Sequence, residues 1–249
     1  MMPDKLLKTV VAVFLLTSFM SLRAKVYLVS VGITDYPGTS LDLTLPVKDA
    51  QTISWIYSKN TDVEACQLLN AQATIKDITT SIRQTFAKAR ADDIVVLFFS
   101  GHGYPGGFLA YDGRMTYTQV RKAMATSKCK NKMIFADACF SGKIRTNGND
   151  SQSSLQAARK ANVMLFLSSR SNETSIEIPT MQNGFFTTYL QKGLRGGADA
   201  NRDRIITAKE LYNYVHAGVV KISEGQQHPV MWGKFSDNMP VMTWVKKKK

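Results

Sequence analysis

Apolar residues fall in short unbroken runs along this chain, and amphipathic stretches of helical period separate them. "KVYLVSVGI", residues 25–33, is a β-branched run of strand length closed by the loop "TDYPGTS". Residues 47–57 have helical character, and 66–69 form a short strand. Thr74 opens the clearest helix: Ile75, Ile78, Ile82 and Phe86 recur at spacings of three, four and four, which makes one buried face. Asp77 stands three residues past Thr74, the place of the acid in a capping box. Next come an apolar strand over 94–99, a hairpin around "FLAYDGRMTY", a helix over 118–125 and a strand over 133–136. "NVMLFLSS" is a further strand, and helices are expected over 185–194 and 207–220.

Strands and helices alternate, and three strands are continuously apolar. Strands buried on both faces belong to a mainly parallel sheet. The expectation is therefore an α/β fold, a three-layer sandwich with helices on both sides of the sheet. In open sheets of this kind functional residues gather just past the carboxyl ends of strands. "IVVLFFSGHGYPG" breaks at His102, between two glycines, and "KMIFADACFSG" breaks at Cys139. Both residues sit at that end.

The chain's 249 residues suffice for one domain with a sizeable core, and no internal repeat marks a second. Thirty-two Lys and Arg against 19 Asp and Glu give a formal charge of +13. The basic residues are scattered, with only the terminal "KKKK" forming a run, and no zinc-finger or RNA-binding motif occurs. A basic, solvated surface is expected, and no nucleic-acid partner. At the N-terminus Lys5 and Lys8 precede "VVAVFLLTSFMSL", short of the roughly 20 apolar residues that a membrane span needs. This pattern predicts a signal peptide over residues 1–24 and an exported, periplasmic or extracellular protein. No stable membrane span is expected once that segment is removed; a retained anchor is the alternative. The domain is expected over 25–230, with 231–249 as a C-terminal tail.

Cys66, Cys129 and Cys139 all follow the signal, and an odd count leaves at least one thiol free or paired between chains. A Cys66–Cys129 bridge stays open at this point. A cysteine nucleophile attacks as thiolate, and a free thiol with a pKa of about 8.5 is mostly protonated at neutral pH. A neighbouring imidazole can take that proton and later hand it to a leaving amine. Gly101 and Gly103 leave the backbone room to approach a substrate. The N–H groups of Gly103 and Cys139 are candidate donors to a developing oxyanion. Singly, such a His is often a structural residue and such a Cys a small apolar side chain. Together at one end of one sheet, they favour a catalytic pair.

"FFSGHG" and "DACFSG" resemble the two signature blocks of the caspase–metacaspase superfamily of cysteine peptidases. The similarity runs from about Lys25 to Val220, through "VGITDY", "LPVKDA" and "NGFFTTYLQKGLRG". Asp before the Ala-Cys and Phe-Ser-Gly after it give the metacaspase and bacterial caspase-like form, whereas animal caspases carry Gln-Ala-Cys. The resemblance implies a caspase-like peptidase domain with His102 as general base and acid and Cys139 as nucleophile, the N–H groups of Gly103 and Cys139 forming the oxyanion hole. It also implies that Asp137 and Asp49 line the primary specificity pocket, with Ser100, Ser168 and Ser169 among the substrate-binding residues. Two carboxylates there would prefer Arg or Lys just before the scissile bond. The alternative for Asp49 is a solvated residue in the first turn of a helix. "SSRSNETS", residues 168–175, matches the segment that pairs with extended substrate. The chain also departs from the pattern. Phe140 replaces the usual His after the Cys, and Lys48 replaces the Asn of an Asn-Asp pair. The calcium-activating acidic pair has no counterpart, Asp112 being the one carboxylate between Gly103 and Asp137.

"DANRDRIITAKE", residues 199–210, fits an EF-hand loop at positions 1, 3, 5, 9 and 12 with Asp199, Asn201, Asp203, Thr207 and Glu210. Arg204 stands where that loop requires Gly, and Thr207-x-x-Glu210 also reads as a capping box. A structural calcium is thus a candidate, while no cofactor is required. "GKIRTNGNDSQSSLQ" is the most polar stretch, and Lys143, Arg145, Arg159 and Lys160 in or beside it suit self-cleavage by an enzyme that cuts after basic residues. The expected function is a secreted cysteine endopeptidase acting on peptide or protein substrates. The alternative is a catalytically silent module of the same fold that binds peptides or partners. The oligomeric state is not legible in these patterns.

Overall fold

A computed structural model of the chain describes residues 24–104, 106–139, 162–169 and 182–244. The expected signal peptide (all but its last residue), Phe140, the polar loop with its four basic residues and most of the 168–175 segment lie outside these.

Parallel strands form the centre of the molecule. β1 (Val26–Gly32) lies between β2 (Val63–Leu69) and β3 (Ile94–Tyr104), and the order continues through β6 (Asn131–Cys139) and β7 (Met164–Leu167), all parallel. β9 (Val230–Trp232) joins β7 antiparallel, and the hairpin of β4 (Gly107–Ala110) and β5 (Gly113–Thr116) branches from the end of β3. Five α-helices are described: α1 (Pro46–Asn60), α2 (Ile75–Phe86), α3 (Tyr117–Met124), α4 (Phe185–Lys192) and α5 (Ala208–Ile222). Alternate residues of each central strand face opposite layers. Val29, Val95, Leu97 and Phe99 pack with Ile78, Ile82, Phe86, Val120 and Met124 of α2 and α3. Leu28, Val96, Phe98 and Phe166 pack with Ile53, Ile56, Phe186, Leu190 and Val215 of α1, α4 and α5. The unbroken apolar runs reflect burial on both faces, and the expected three-layer α/β sandwich is the fold.

Local signals start the helices. Thr74 accepts the Asp77 N–H ahead of α2, and Thr116 with Gln119 forms a full capping box ahead of α3. Pro46 occupies the first turn of α1, where a missing N–H breaks no bond. The β1–β2 crossover packs α1 on one face of the sheet, and the β2–β3 crossover packs α2 on the other. Strand order therefore reverses between β1 and β3, opening a crevice at their carboxyl ends.

Some expectations change. β3 runs on to Tyr104, because β6 and β4 offer partners to residues past Phe99. The stretch expected as a tail from 231 holds sheet structure: Trp232 pairs with Leu165, and β10 (Pro240–Thr243) pairs with β8 (Ile205–Thr207). Strands of three or four residues are too short to show a period, and their partners are distant in sequence. Cys66 and Cys129 are both unbridged. They belong to β2 and the approach to β6, three strand spacings or about 14 Å apart, well beyond the roughly 7 Å limit between bridged Cα atoms. The Cys129 thiol donates instead to the Asp93 carbonyl at 2.8 Å. No helix among the described residues is long and apolar enough to cross a membrane.

Candidate active site

His102 and Cys139 are direct partners in the parallel register of β3 and β6, preceded by the pairs Ser100↔Asp137 and Gly101↔Ala138. The two sequence blocks thus run side by side, on strands about 4.8 Å apart. The imidazole Nε2 of His102 lies 2.8 Å from the Leu41 carbonyl oxygen. A carbonyl only accepts, so this contact assigns the proton to Nε2 and leaves Nδ1 as the basic nitrogen of the neutral ring. The Tyr36 hydroxyl accepts the His102 main-chain N–H at 3.0 Å, and the two rings tilt together with centroids 5.2 Å apart. A Cβ on Gly101 would come within 2.7 Å of that hydroxyl, so the glycine before His102 is what lets Tyr36 reach the backbone. Gly103 is buried and pairs with Phe108 in the hairpin.

Asp49 and Asp137 meet close to these strand ends. Asp49, in the first turn of α1, is only 2% exposed, which removes the solvated alternative. Its Oδ2 accepts the Ser100 hydroxyl at 2.8 Å, and its Oδ1 accepts the Asn183 side-chain amide at 2.8 Å and the Gly184 N–H at 3.3 Å. Asp137 Oδ2 accepts the N–H and the hydroxyl of Thr187 at 3.0 and 2.8 Å. Both carboxylates therefore engage the N-terminus of α4, a place of unpaired N–H groups and partial positive charge. Its cap residue, Gly184, has no side chain, and a Cβ there would lie 2.5 Å from Asp137 Oδ2.

Burial, and then the charge of Asp137, hold the Asp49 carboxyl well above the ordinary carboxylate range, against the pull of Asn183, Ser100 and Gly184. Burial also raises Asp137, opposed by its bonds to Thr187 and Ser168. The exposed Lys48 ammonium donates to the Gln182 side-chain carbonyl rather than to either acid. The amide that Lys48 cannot provide comes from Asn183, 134 residues away from Asp49. Ser168 Oγ accepts the Ala138 N–H at 3.1 Å, and its one proton is shared between the Ala138 carbonyl, also at 3.1 Å, and Asp137. Ser169 is fully buried, and its hydroxyl has no hydrogen-bond partner among the described residues.

The 199–210 loop lies apart from these residues in the sequence and is organised as a helix start. Glu210 Oε2 accepts the N–H and hydroxyl of Thr207 at 3.0 and 2.8 Å, completing the capping box of α5. Asp203 bonds the Asn201 amide and the Ile205 N–H. Asp199 Oδ2 accepts the Arg204 N–H at 3.1 Å, while its Oδ1 is buried with no partner among the described residues. Arg204 has φ 72°, the left-handed conformation for which an EF-hand uses Gly. Among the described residues, no three His, Cys, Asp or Glu side chains are gathered as a metal ion would require.

No sequence motif assigns a part to Tyr36, the Leu41 carbonyl, Asn183 or Thr187. Tyr36 and Asn183 fall inside the blocks "VGITDY" and "NGFFTTYLQKGLRG", yet their partners lie 66 and 134 residues away. No local pattern encodes such contacts.

The caspase-domain family model matches residues 26–239. Comparison with curated proteins gives no match. Among solved structures, a protein from Geobacter sulfurreducens is 16% identical, with a TM-score of 0.67 over 89% of this chain and 100% of that one. Caspase-1 from Spodoptera frugiperda is 17% identical, with a TM-score of 0.57 over 84% of this chain and 85% of that one. At such identities the likeness is one of fold.

Proposed function

The chain belongs to the caspase-domain family, a family of cysteine peptidases, and on that footing we propose an exported endopeptidase that cuts peptide bonds after Arg or Lys. The observation that carries this reading is the register of His102 with Cys139 at the end of a parallel sheet. His102 Nδ1 takes the Cys139 thiol proton, and the thiolate adds to the scissile carbonyl carbon. The N–H groups of Gly103 and Cys139 meet the oxyanion that forms. As the intermediate collapses, His102 returns the proton to the leaving amine, and the acyl thioester is then hydrolysed by water that His102 deprotonates. The Leu41 carbonyl supports both steps, since it holds Nε2–H and faces the positive charge of the imidazolium. Specificity comes from Asp49 and Asp137, a buried acid pair whose partners are neutral donors and which suits a cationic substrate side chain. Export rests on the pattern of residues 1–24.

Peptides that differ only in the residue before the scissile bond test the reading. Arg and Lys peptides should be cleaved, neutral and Asp peptides poorly. Cys139→Ala and His102→Ala should each cost about a thousandfold or more, and the double variant little beyond that, because the two act as one unit. Substantial turnover by Cys139→Ala would sink the mechanism, and a preference for Asp would sink the pocket.

A further inference from the structure

The surroundings of the acid pair bear on its charge before substrate arrives. Every group placed against it by the described elements is an uncharged donor or another acid. From α1 there is Asp49 itself, while the exposed Lys48 ammonium bonds the Gln182 side chain. From β3 there is the Ser100 hydroxyl, and from β6 Asp137. Ser168, just past β7, bonds Asp137. The start of α4 contributes the Asn183 amide, the Gly184 N–H and the N–H and hydroxyl of Thr187, with Gln191 donating to Asn183 from behind. The nearest other titratable groups along the strands, His102 and Cys139, stand two positions beyond Ser100 and Asp137 in the register. Two carboxylates, 2% and 9% exposed, thus share one region with no basic residue among the described ones to balance them. Like charges so placed do not both ionise readily, and the pair titrates as a unit.

We propose that Asp49 and Asp137 share one proton in the free protein and release it to solvent when a guanidinium enters, so that recognition of arginine is coupled to proton loss. The proposal rests on the reading of these two residues as the specificity pocket. Its chemistry follows from the donor inventory. A guanidinium carries five N–H donors and no acceptor, so a protonated carboxyl would set donor against donor. The added positive charge also favours ionisation of both acids. The Asn183 and Thr187 donors remain in place throughout and keep each carboxylate oriented, which makes them positioning residues for the pocket. One proton lost per site makes arginine affinity rise about tenfold for each pH unit, until the pair is fully ionised in the free protein.

Calorimetry on full-length Cys139→Ala protein, which holds peptide without cutting it, tests this. An arginyl peptide and its citrullyl counterpart are titrated at neutral pH in buffers of different ionisation enthalpy. Citrulline keeps the shape and loses the charge. The expected result is tighter binding of the arginyl peptide with release of close to one proton, and none for citrulline. Adding Asp49→Asn, where the Ser100 hydroxyl can turn to accept, should abolish the release. Tighter arginyl binding without proton release would overturn the proposal and leave the pocket assignment standing. Equal binding of the two peptides would overturn the pocket assignment and the proposal with it.

Discussion

The Tyr36 hydroxyl accepts the main-chain N–H of His102 at 3.0 Å and donates to the Leu109 carbonyl at 3.1 Å. One side chain from the loop after β1 thereby ties the histidine-bearing end of β3 to the hairpin that follows it. The contact fixes the backbone of His102 and leaves both ring nitrogens to other partners.

Tyr36→Phe keeps the ring and removes both bonds, stranding a part-buried N–H and a carbonyl at a cost of about 1–3 kcal/mol. In a chain of this size that lowers the melting temperature by roughly 2–4 °C per kcal/mol. If His102 is the base, displacing it while sparing the acid pair should lower kcat about tenfold with KM nearly unchanged. Steady-state kinetics on arginyl peptides decide; an unaltered kcat would remove Tyr36 from the positioning of His102.

Asp49 also makes stability depend on pH. Its folded carboxyl holds the proton well above the range of an unfolded Asp, so the native state binds more protons than the unfolded one between about pH 4 and that folded value. Stability from this group is full below about pH 4 and is lost as the pH rises through the folded value. Asp49→Asn should therefore melt higher than wild type at pH 8, by a few degrees at roughly 2–4 °C per kcal/mol, with the gap closing toward pH 4.5. Thermal melts across that window check it. A gap that stayed constant or widened in acid would contradict the assigned direction.

Asp199 Oδ1 is buried without a partner among the described residues, at the first position of the EF-hand-like loop. Calcium would satisfy it once Glu210 swings from its cap on Thr207. Millimolar Ca²⁺ should raise the melting temperature by on the order of 5 °C if present at about a hundred times its dissociation constant. The response should vanish in Asp199→Asn. An unchanged melt with no calorimetric heat would leave the capping box as the loop's whole role.

Lys143, Arg145, Arg159 and Lys160 lie close in sequence to Cys139 and outside the described residues. A tethered basic loop meets its own active site at high effective concentration. Cleavage at one of the four, most readily after Lys143 or Arg145, should appear as fragments by mass spectrometry of wild type. Cys139→Ala protein should stay whole. A fully active, uncut wild type would exclude processing from the mechanism.

Much of this protein is legible in its sequence. The apolar runs of β1, β3 and β6 mark strands buried on two faces, and the Ile75–Phe86 stripe marks a helix with one buried face, because burial imposes its period on sequence. His102 and Cys139 are visible for the same reason, as the points where such runs break. What a linear pattern does not hold is the meeting of distant segments. Asn183 and Thr187 reach acids 134 and 50 residues away, and the Leu41 carbonyl meets an imidazole 61 residues away. β9 and β10 are too short to carry a period and exist because partner strands await them. Whether Asp49 is solvated or buried is undecided along the chain, since its helix position allows either. Packing α4 over the ends of β3 and β6 decides it, by removing water from two carboxylates and supplying neutral donors in its place.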